Sequence, residues 1–206
     1  MVETDQIDSY ISIAEPSKGL YKELGSKFIS LAYPVDSVEE VKEIISNIKK
    51  EYFDARHHCY AYRIGINGEE WRYNDDGEPS SSAGKPIYGQ LLSNNISDIL
   101  VIVIRYFGGT KLGIPGLIRS YKTATLDALN NSIKIEKIAT KQFIIESSYQ
   151  DLEVVMKIIK RLDIQITNQE YQIDCKTTVR IRLNQVDHFL SSIPETLNIK
   201  IICQNT

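Results

Sequence analysis

Cysteine is scarce in this chain of 206 residues: Cys59, Cys175 and Cys203 lie far apart, and no two form a C-x-x-C pair. An odd, scattered trio excludes a disulfide framework and a zinc ribbon, and suits a reducing compartment. Long apolar runs are missing too. The most hydrophobic stretch, Ile99 to Ile104, has the length of a strand and not of a membrane span. The start, MVETDQIDSY, is acidic and has neither the basic nor the apolar region of a signal peptide. The expectation is a cytoplasmic protein with no membrane partner. Nor is there an excess of positive charge: 24 Lys and Arg stand against 27 Asp and Glu, a net charge of −3. That excludes wholesale coating by nucleic acid. Residues 1–137 carry 16 basic and 19 acidic side chains and the remainder eight of each, so any RNA contact must come from a local patch. No DNA specificity is expected.

What is present is an ordinary globular composition, 42% hydrophobic and 25% charged. A chain of this length can bury roughly 70% of its unfolded surface, so neither metal nor disulfide is required to hold it. Lys27–Ala32 is a candidate strand. Ser37 and Glu40 have capping-box spacing ahead of a helix whose apolar residues run from Val38 to Tyr52. HHCYAYRIGI alternates like a strand, with Tyr60, Tyr62, Ile64 and Ile66 on one face, and GEEWRY continues it as a hairpin after Asn67-Gly68. A polar loop follows, then a short helix over Ile87–Leu92. DILVIVIRYF does not alternate and is therefore predicted to be a central strand covered on both faces. The glycine-rich GGTKLGIPG feeds a helix whose face runs from Leu117 to Leu129. Beyond residue 137 the pattern is βαββαβ, the split βαβ or ferredoxin-like order, with Asp151 as the cap of its first helix. The expected class is α+β in two domains, 1–137 and 138–206.

Two segments carry chemistry. RYFGGTKLGIPGLIRSYK holds Arg105, Lys111, Arg119 and Lys122 and no acid, while Gly108 and Gly109 let the backbone approach a ligand closely. A strand, a glycine loop and a helix N-terminus with fixed cations suit an anion such as phosphate. Equally, it is a tight strand-to-helix turn with solvated lysines; it is neither a Walker loop nor G-x-G-x-x-G. The second segment, DDGEPSSSAGKP, spends twelve residues on almost no apolar surface. Its Asp75, Asp76 and Glu78 suit a hard divalent cation or acid–base work, or else cap amides and pair with Arg56, Arg105 or Lys111. His57, His58 and Cys59 lack the spaced donors that zinc needs. The hydroxyls of Ser80, Ser81 and Ser82 lack a nucleophile elbow. Tyr60, Tyr62 and Tyr73 are packing rings or a surface for stacking bases.

DARHHCYAYRIG, DDGEPSSSAGKPI and VIVIRYFGGTKLGIPGLIRSY, in that order, resemble the signature of the IMPACT/YigZ family. Its blocks run close to A-T-H-x-C-x-A, D-D-G-E-P-x-G-T-A-G-x-P and R-Y-F-G-G-x-K-L-G-x-G-G-L-x-R-A-Y. The chain departs from them at Arg56 and His58, at Ser81 and Ser82 in place of Gly-Thr, and at Pro115 in place of a glycine. Proline removes an amide from the helix start but is tolerated in a first turn. The resemblance implies a first domain with the two-layer α/β fold and left-handed crossover of elongation factor G domain IV. It implies a second domain like that factor's ferredoxin-like last domain, and hence the ribosome, RNA or a translation-related protein as partner. Eukaryotic members restrain a starvation-activated translation kinase through an extra N-terminal domain for which this chain has no room, so that partner is not carried over. The resemblance implies no established catalysis and no cofactor.

Three functions follow. The first is a non-enzymatic, translation-linked binding protein. In it Arg105, Gly108, Gly109, Lys111, Arg119 and Lys122 meet phosphates, and Arg56, His57, Asp75, Asp76, Glu78 and Ser81 shape the loop or join the binding. The second is a metal-assisted hydrolase or phosphoryl-transfer enzyme with Asp75, Asp76 and Glu78 on Mg²⁺ or Mn²⁺. The third is a protein-interaction module with no small ligand.

Overall fold

The computed structural model describes residues 8–172, 174–194 and 197–204. The described residues form two compact units, one of residues 10–137 and one that combines those from 138 onward with residues 8–9.

In the first unit, strands β1 (Ser9–Ile13), β2 (Ser17–Glu23) and β3 (Ser26–Pro34) lead into helix α1 (Val38–Glu51). Strands β4 (His57–Ile64) and β5 (Glu70–Asn74), helix α2 (Gly84–Ser93), strand β6 (Ile99–Tyr106), helix α3 (Gly113–Asn130) and strand β7 (Lys134–Ile138) follow. Five strands form one antiparallel sheet in the order β2-β3-β6-β4-β5, while β1 pairs separately with β7. The unalternating Ile99–Ile104 run lies in the middle of the sheet, as predicted, and is wholly buried. Its odd-numbered residues Ile99, Val101 and Val103 face a core with Leu117, Tyr121 and Ala124 of α3 and Ile87 and Leu91 of α2. Its even-numbered residues Leu100, Ile102 and Ile104 face a second core with Val41 and Ile48 of α1. Parity in a strand thus decides which layer each residue meets. Ser37 caps α1 by accepting from the Glu40 amide, and Glu40 reaches back to the amide of Asp36. Asp98, at φ 52°, accepts from Tyr10, Lys137 and the Gly65 amide, which ties β1, β7 and the β4–β5 turn together.

In the second unit, β8 (Thr140–Ser147), α4 (Tyr149–Arg161), β9 (Gln165–Tyr171), β10 (Cys175–Arg182), α5 (Val186–Ser192) and β11 (Lys200–Gln204) give the βαββαβ order. The sheet runs β11-β8-β10-β9, the arrangement that the split βαβ unit requires. The cap of α4 is Ser148 and not Asp151: the Ser148 hydroxyl accepts from the Asp151 amide and donates to the Asp151 carboxylate. The cap therefore lies three residues earlier than the sequence suggested. No helix among the described residues is long and apolar enough to cross a membrane.

Candidate functional site

The site forms where β6 ends, the chain crosses its glycine-rich turn and α3 begins. On the α2–α3 side of the sheet, the register sets Phe28 of β3, Arg105 of β6 and His57 of β4 in one row. Arg105 is buried, with its guanidinium 5.5 Å from the ring centre of Phe28 and 5.8 Å from that of Phe107. It donates to Glu78 Oε1 at 2.6 Å, and Tyr121 donates to the same oxygen at 2.9 Å. Cys59 in turn donates to Tyr121. Burial pushes the Tyr121 hydroxyl and the Cys59 thiol well above their ordinary pKa values, so both keep their protons and serve as donors. A thiol in that state is no nucleophile. Within this otherwise satisfied network, Nε of Arg105 is buried with no hydrogen-bond partner.

The polar loop is built by its own carboxylates. Asp75 accepts from the amides of Ser81, Ala83 and Gly84 at 2.8–3.0 Å and so closes the N-terminus of α2 from eight residues upstream. Asp76, at φ 40°, accepts from the His58 amide and from Lys49 of α1. Burial alone would raise its pKa, but the Lys49 ammonium and that amide outweigh burial and hold it below the usual aspartate value. The Asp76 carbonyl accepts from Nδ1–H of His57 at 2.8 Å, which fixes that ring. His58, on the opposite face, is buried and hydrogen-bonds the Tyr52 carbonyl. Among the described residues no three His, Cys, Asp or Glu side chains are grouped as metal ligands.

The result is a cleft of about 860 Å³ lined by Arg56, His57, Glu78, Arg105 and Lys111, with Asp54, Tyr106, Phe107 and the first turn of α3. Its two acids are engaged, Glu78 by Arg105 and Asp54 by the Tyr106 hydroxyl at 2.7 Å. That bond pushes the Tyr106 pKa up to about 12, so the phenol stays neutral. Arg56 and Lys111 are exposed and form no ion pair among the described residues. No side chain caps α3, and its Leu112, Gly113 and Ile114 border the cleft, so the positive end of an 18-residue helix opens there. Pro115 is the third residue of α3, inside the first turn, and removes an amide that would have had no helical partner.

Not every residue chosen from the sequence reaches this cleft. Arg119 pairs instead with Glu23 of β2 at 2.7 Å, and Lys122 borders a different hollow. Gly108 serves packing: a Cβ there would stand 1.8 Å from the Gly25 carbonyl carbon, so glycine is needed where two turns meet. Gly109, at φ 90°, has open space around it. Ser81 lies outside the cleft, and Asp75 and Asp76 act through backbone amides behind it. Sequence reasoning missed Phe107 and Ile114, which flank the cleft at 55% and 53% exposure. Two large apolar side chains inside a polar, glycine-rich turn are the signal that could have found them.

The Impact N-terminal domain, as a sequence family, matches residues 24–129, just over half the chain and every residue of the cleft. The chain belongs to the IMPACT family. It is 28% identical over 191 residues to "IMPACT family member YigZ" of Escherichia coli, covering 92% of this chain and 94% of that one. It is 38% identical over 131 residues to "IMPACT family member YvyE" of Bacillus subtilis, covering 64% of this chain and 60% of the relative. Similarity to the "Protein IMPACT homolog" of Dictyostelium discoideum, 37% over 109 residues, spans 51% of this chain and 31% of that longer protein. A crystal structure titled only as a hypothetical protein aligns with a TM-score of 0.72 at 27% identity, covering 96% of this chain and 98% of the other.

Proposed function

We propose that this IMPACT-family protein acts as a translation-linked regulator by binding RNA phosphates, on the ribosome, in the cleft between the Asp75–Pro86 loop and the start of α3. Family membership supports a regulator-type role. The observation that carries the finer reading is the convergence of Arg56 and Lys111, cations without an ion pair among the described residues, with an uncapped helix N-terminus, beside exposed Phe107 and Ile114. Cations and a helix end bind phosphate, and the apolar rim suits the ribose or base beside it. Nε of Arg105, buried on the cleft wall without a partner, is a further donor for such a ligand. The metal-assisted alternative has less support, because Asp75, Asp76 and Glu78 already use their oxygens on amides, Lys49, Arg105 and Tyr121.

Ultraviolet cross-linking to ribosomes, followed by peptide mass spectrometry, tests this reading. Nucleotide-modified peptides should include residues 105–117. Cross-links confined to other segments, or to ribosomal proteins alone, would move the contact away from the cleft and favour a protein-interaction module.

A further inference from the structure

The Asp75–Pro86 loop also borders a second hollow, of about 620 Å³. Trp71 and Tyr73 stand two residues apart on the edge strand β5 and so leave the same face, toward Tyr88 of α2. The Trp71 and Tyr88 ring centres are 5.0 Å apart at 24°, and those of Trp71 and Tyr73 are 6.2 Å apart at 20°. Rings stacked only to fill a core would be covered, yet Trp71 is 52% exposed. The rim carries Lys85 and Lys122, both exposed, together with Ser81; among the described residues neither lysine has an ion pair and no carboxylate lines the hollow. A Cβ on Gly89, also at the rim, would meet nothing within 4 Å, so the space over α2 is open. Covering a sheet edge accounts for Trp71 against Tyr88. It does not account for two uncompensated lysines facing an aromatic stack.

We propose that this hollow is a stacking site for unpaired bases of single-stranded RNA, with Lys85 and Lys122 meeting the phosphates on either side. Near-parallel rings extend naturally to one more π-face, and that mode tolerates any base. The inference rests on the RNA reading of the cleft and deepens it. Glu78 and Pro79 border the cleft while Ser81 and Lys85 border the stack, and along α3 Leu117 belongs to one and Ile118 and Lys122 to the other. One loop and one helix therefore serve both, the cleft taking phosphates and the stack taking bases.

Trp71 is the only tryptophan in the chain, so its fluorescence reports occupancy of the stack directly. The full chain is titrated at low salt with octauridylate, with a twelve-base-pair RNA duplex and with oligoglutamate. Octauridylate should quench the emission saturably, the duplex and the peptide far less. Tyr88→Ala should weaken octauridylate binding about five- to a hundredfold. The surface change Lys85→Ala, which leaves the rings intact, should lower the slope of log affinity against log salt by about 0.7. Arg56→Ala with Lys111→Ala should weaken ribosome co-sedimentation and move octauridylate binding to higher concentration, while the quench at saturation is retained because the rings are untouched. Absence of saturable quenching while the native protein still pellets with ribosomes would overturn the stack and leave the cleft standing. Equal quenching by duplex would remove base stacking, and quenching by oligoglutamate alone would assign the surface to an acidic protein. Quenching with the expected variant effects, but no ribosome pelleting, would keep the stack and reject the cleft's target.

Discussion

Ser81 holds φ 62°, in the left-handed region, at the position where the related family motif carries glycine. Its amide donates to Asp75, a backbone bond that any residue keeps. Ser81→Gly removes a left-handed cost of about 1–2 kcal/mol and adds about 0.5–1 kcal/mol of unfolded-state freedom. The net expectation is a gain of about 0.5–1 kcal/mol in urea unfolding. Glu78 is a stronger case. Its side chain is 4% exposed and balances Arg105, which is itself buried. Glu78→Gln keeps an acceptor for Tyr121 but strands the guanidinium, and breaking such a pair from one side costs about 3–5 kcal/mol. A measured loss below about 1 kcal/mol would mean that solvent reaches Arg105. The pairing of Glu78 with Arg105 was among the partners that composition allowed. The pairing of Arg119 with Glu23, 96 residues away, was not, because local spacing carries no information about a neighbour brought by the sheet.

Helix α2 shows the same limit at the scale of an element. Its apolar spacing predicted a start near Ile87, but it begins at Gly84 because Asp75 supplies the acceptors. Asp75→Ala should cost about 2 kcal/mol and speed hydrogen exchange at Ala83 and Gly84. Unchanged protection there would show that α2 needs no such cap. Asp76 ties the loop to α1 through Lys49 and to β4 through the His58 amide. Its folded pKa is depressed, so its contribution is complete above the ordinary aspartate value of 3.8 and fades as pH falls through the lower folded value. Asp76→Asn should therefore lower stability at neutral pH and flatten the loss of stability expected below about pH 4, which urea unfolding across an acid pH series checks. The long elements β3, α1, β4, β6 and α3 and the βαββαβ order were legible because period and capping fix them locally. Strand β2 was not: SKGLYKE is short of apolar residues, and Gly19 earns its place only because a Cβ would stand 2.3 Å from the Ala128 amide of α3. Strands β1 and β7 pair with each other across more than a hundred residues, beyond the reach of local pattern.

For the whole molecule, three ordered motifs were enough to point to the IMPACT family, and the match over residues 24–129 shows it. The fold then sorts the residues that those motifs contain. Some, such as Asp75, Asp76 and Gly108, hold the loops; Arg56, His57, Arg105 and Lys111 face a common cleft. That division depends on parity in β4 and β6 and on where α3 begins, and linear spacing cannot supply it. It also changes which variants are informative. Arg105 is buried and Arg119 is engaged by Glu23, so alanine at either would report on packing or on a surface pair.

The most direct test is co-sedimentation with ribosomes across a salt series, comparing native protein, Arg56→Ala with Lys111→Ala, and Arg119→Ala. Binding through the cleft predicts that native pelleting falls steeply with salt and that the double variant binds weakly, with a log–log slope shallower by about 1.5. Arg119→Ala should pellet like the native protein. Equal pelleting and equal slopes for native protein and the double variant would contradict the assignment of phosphate binding to this cleft.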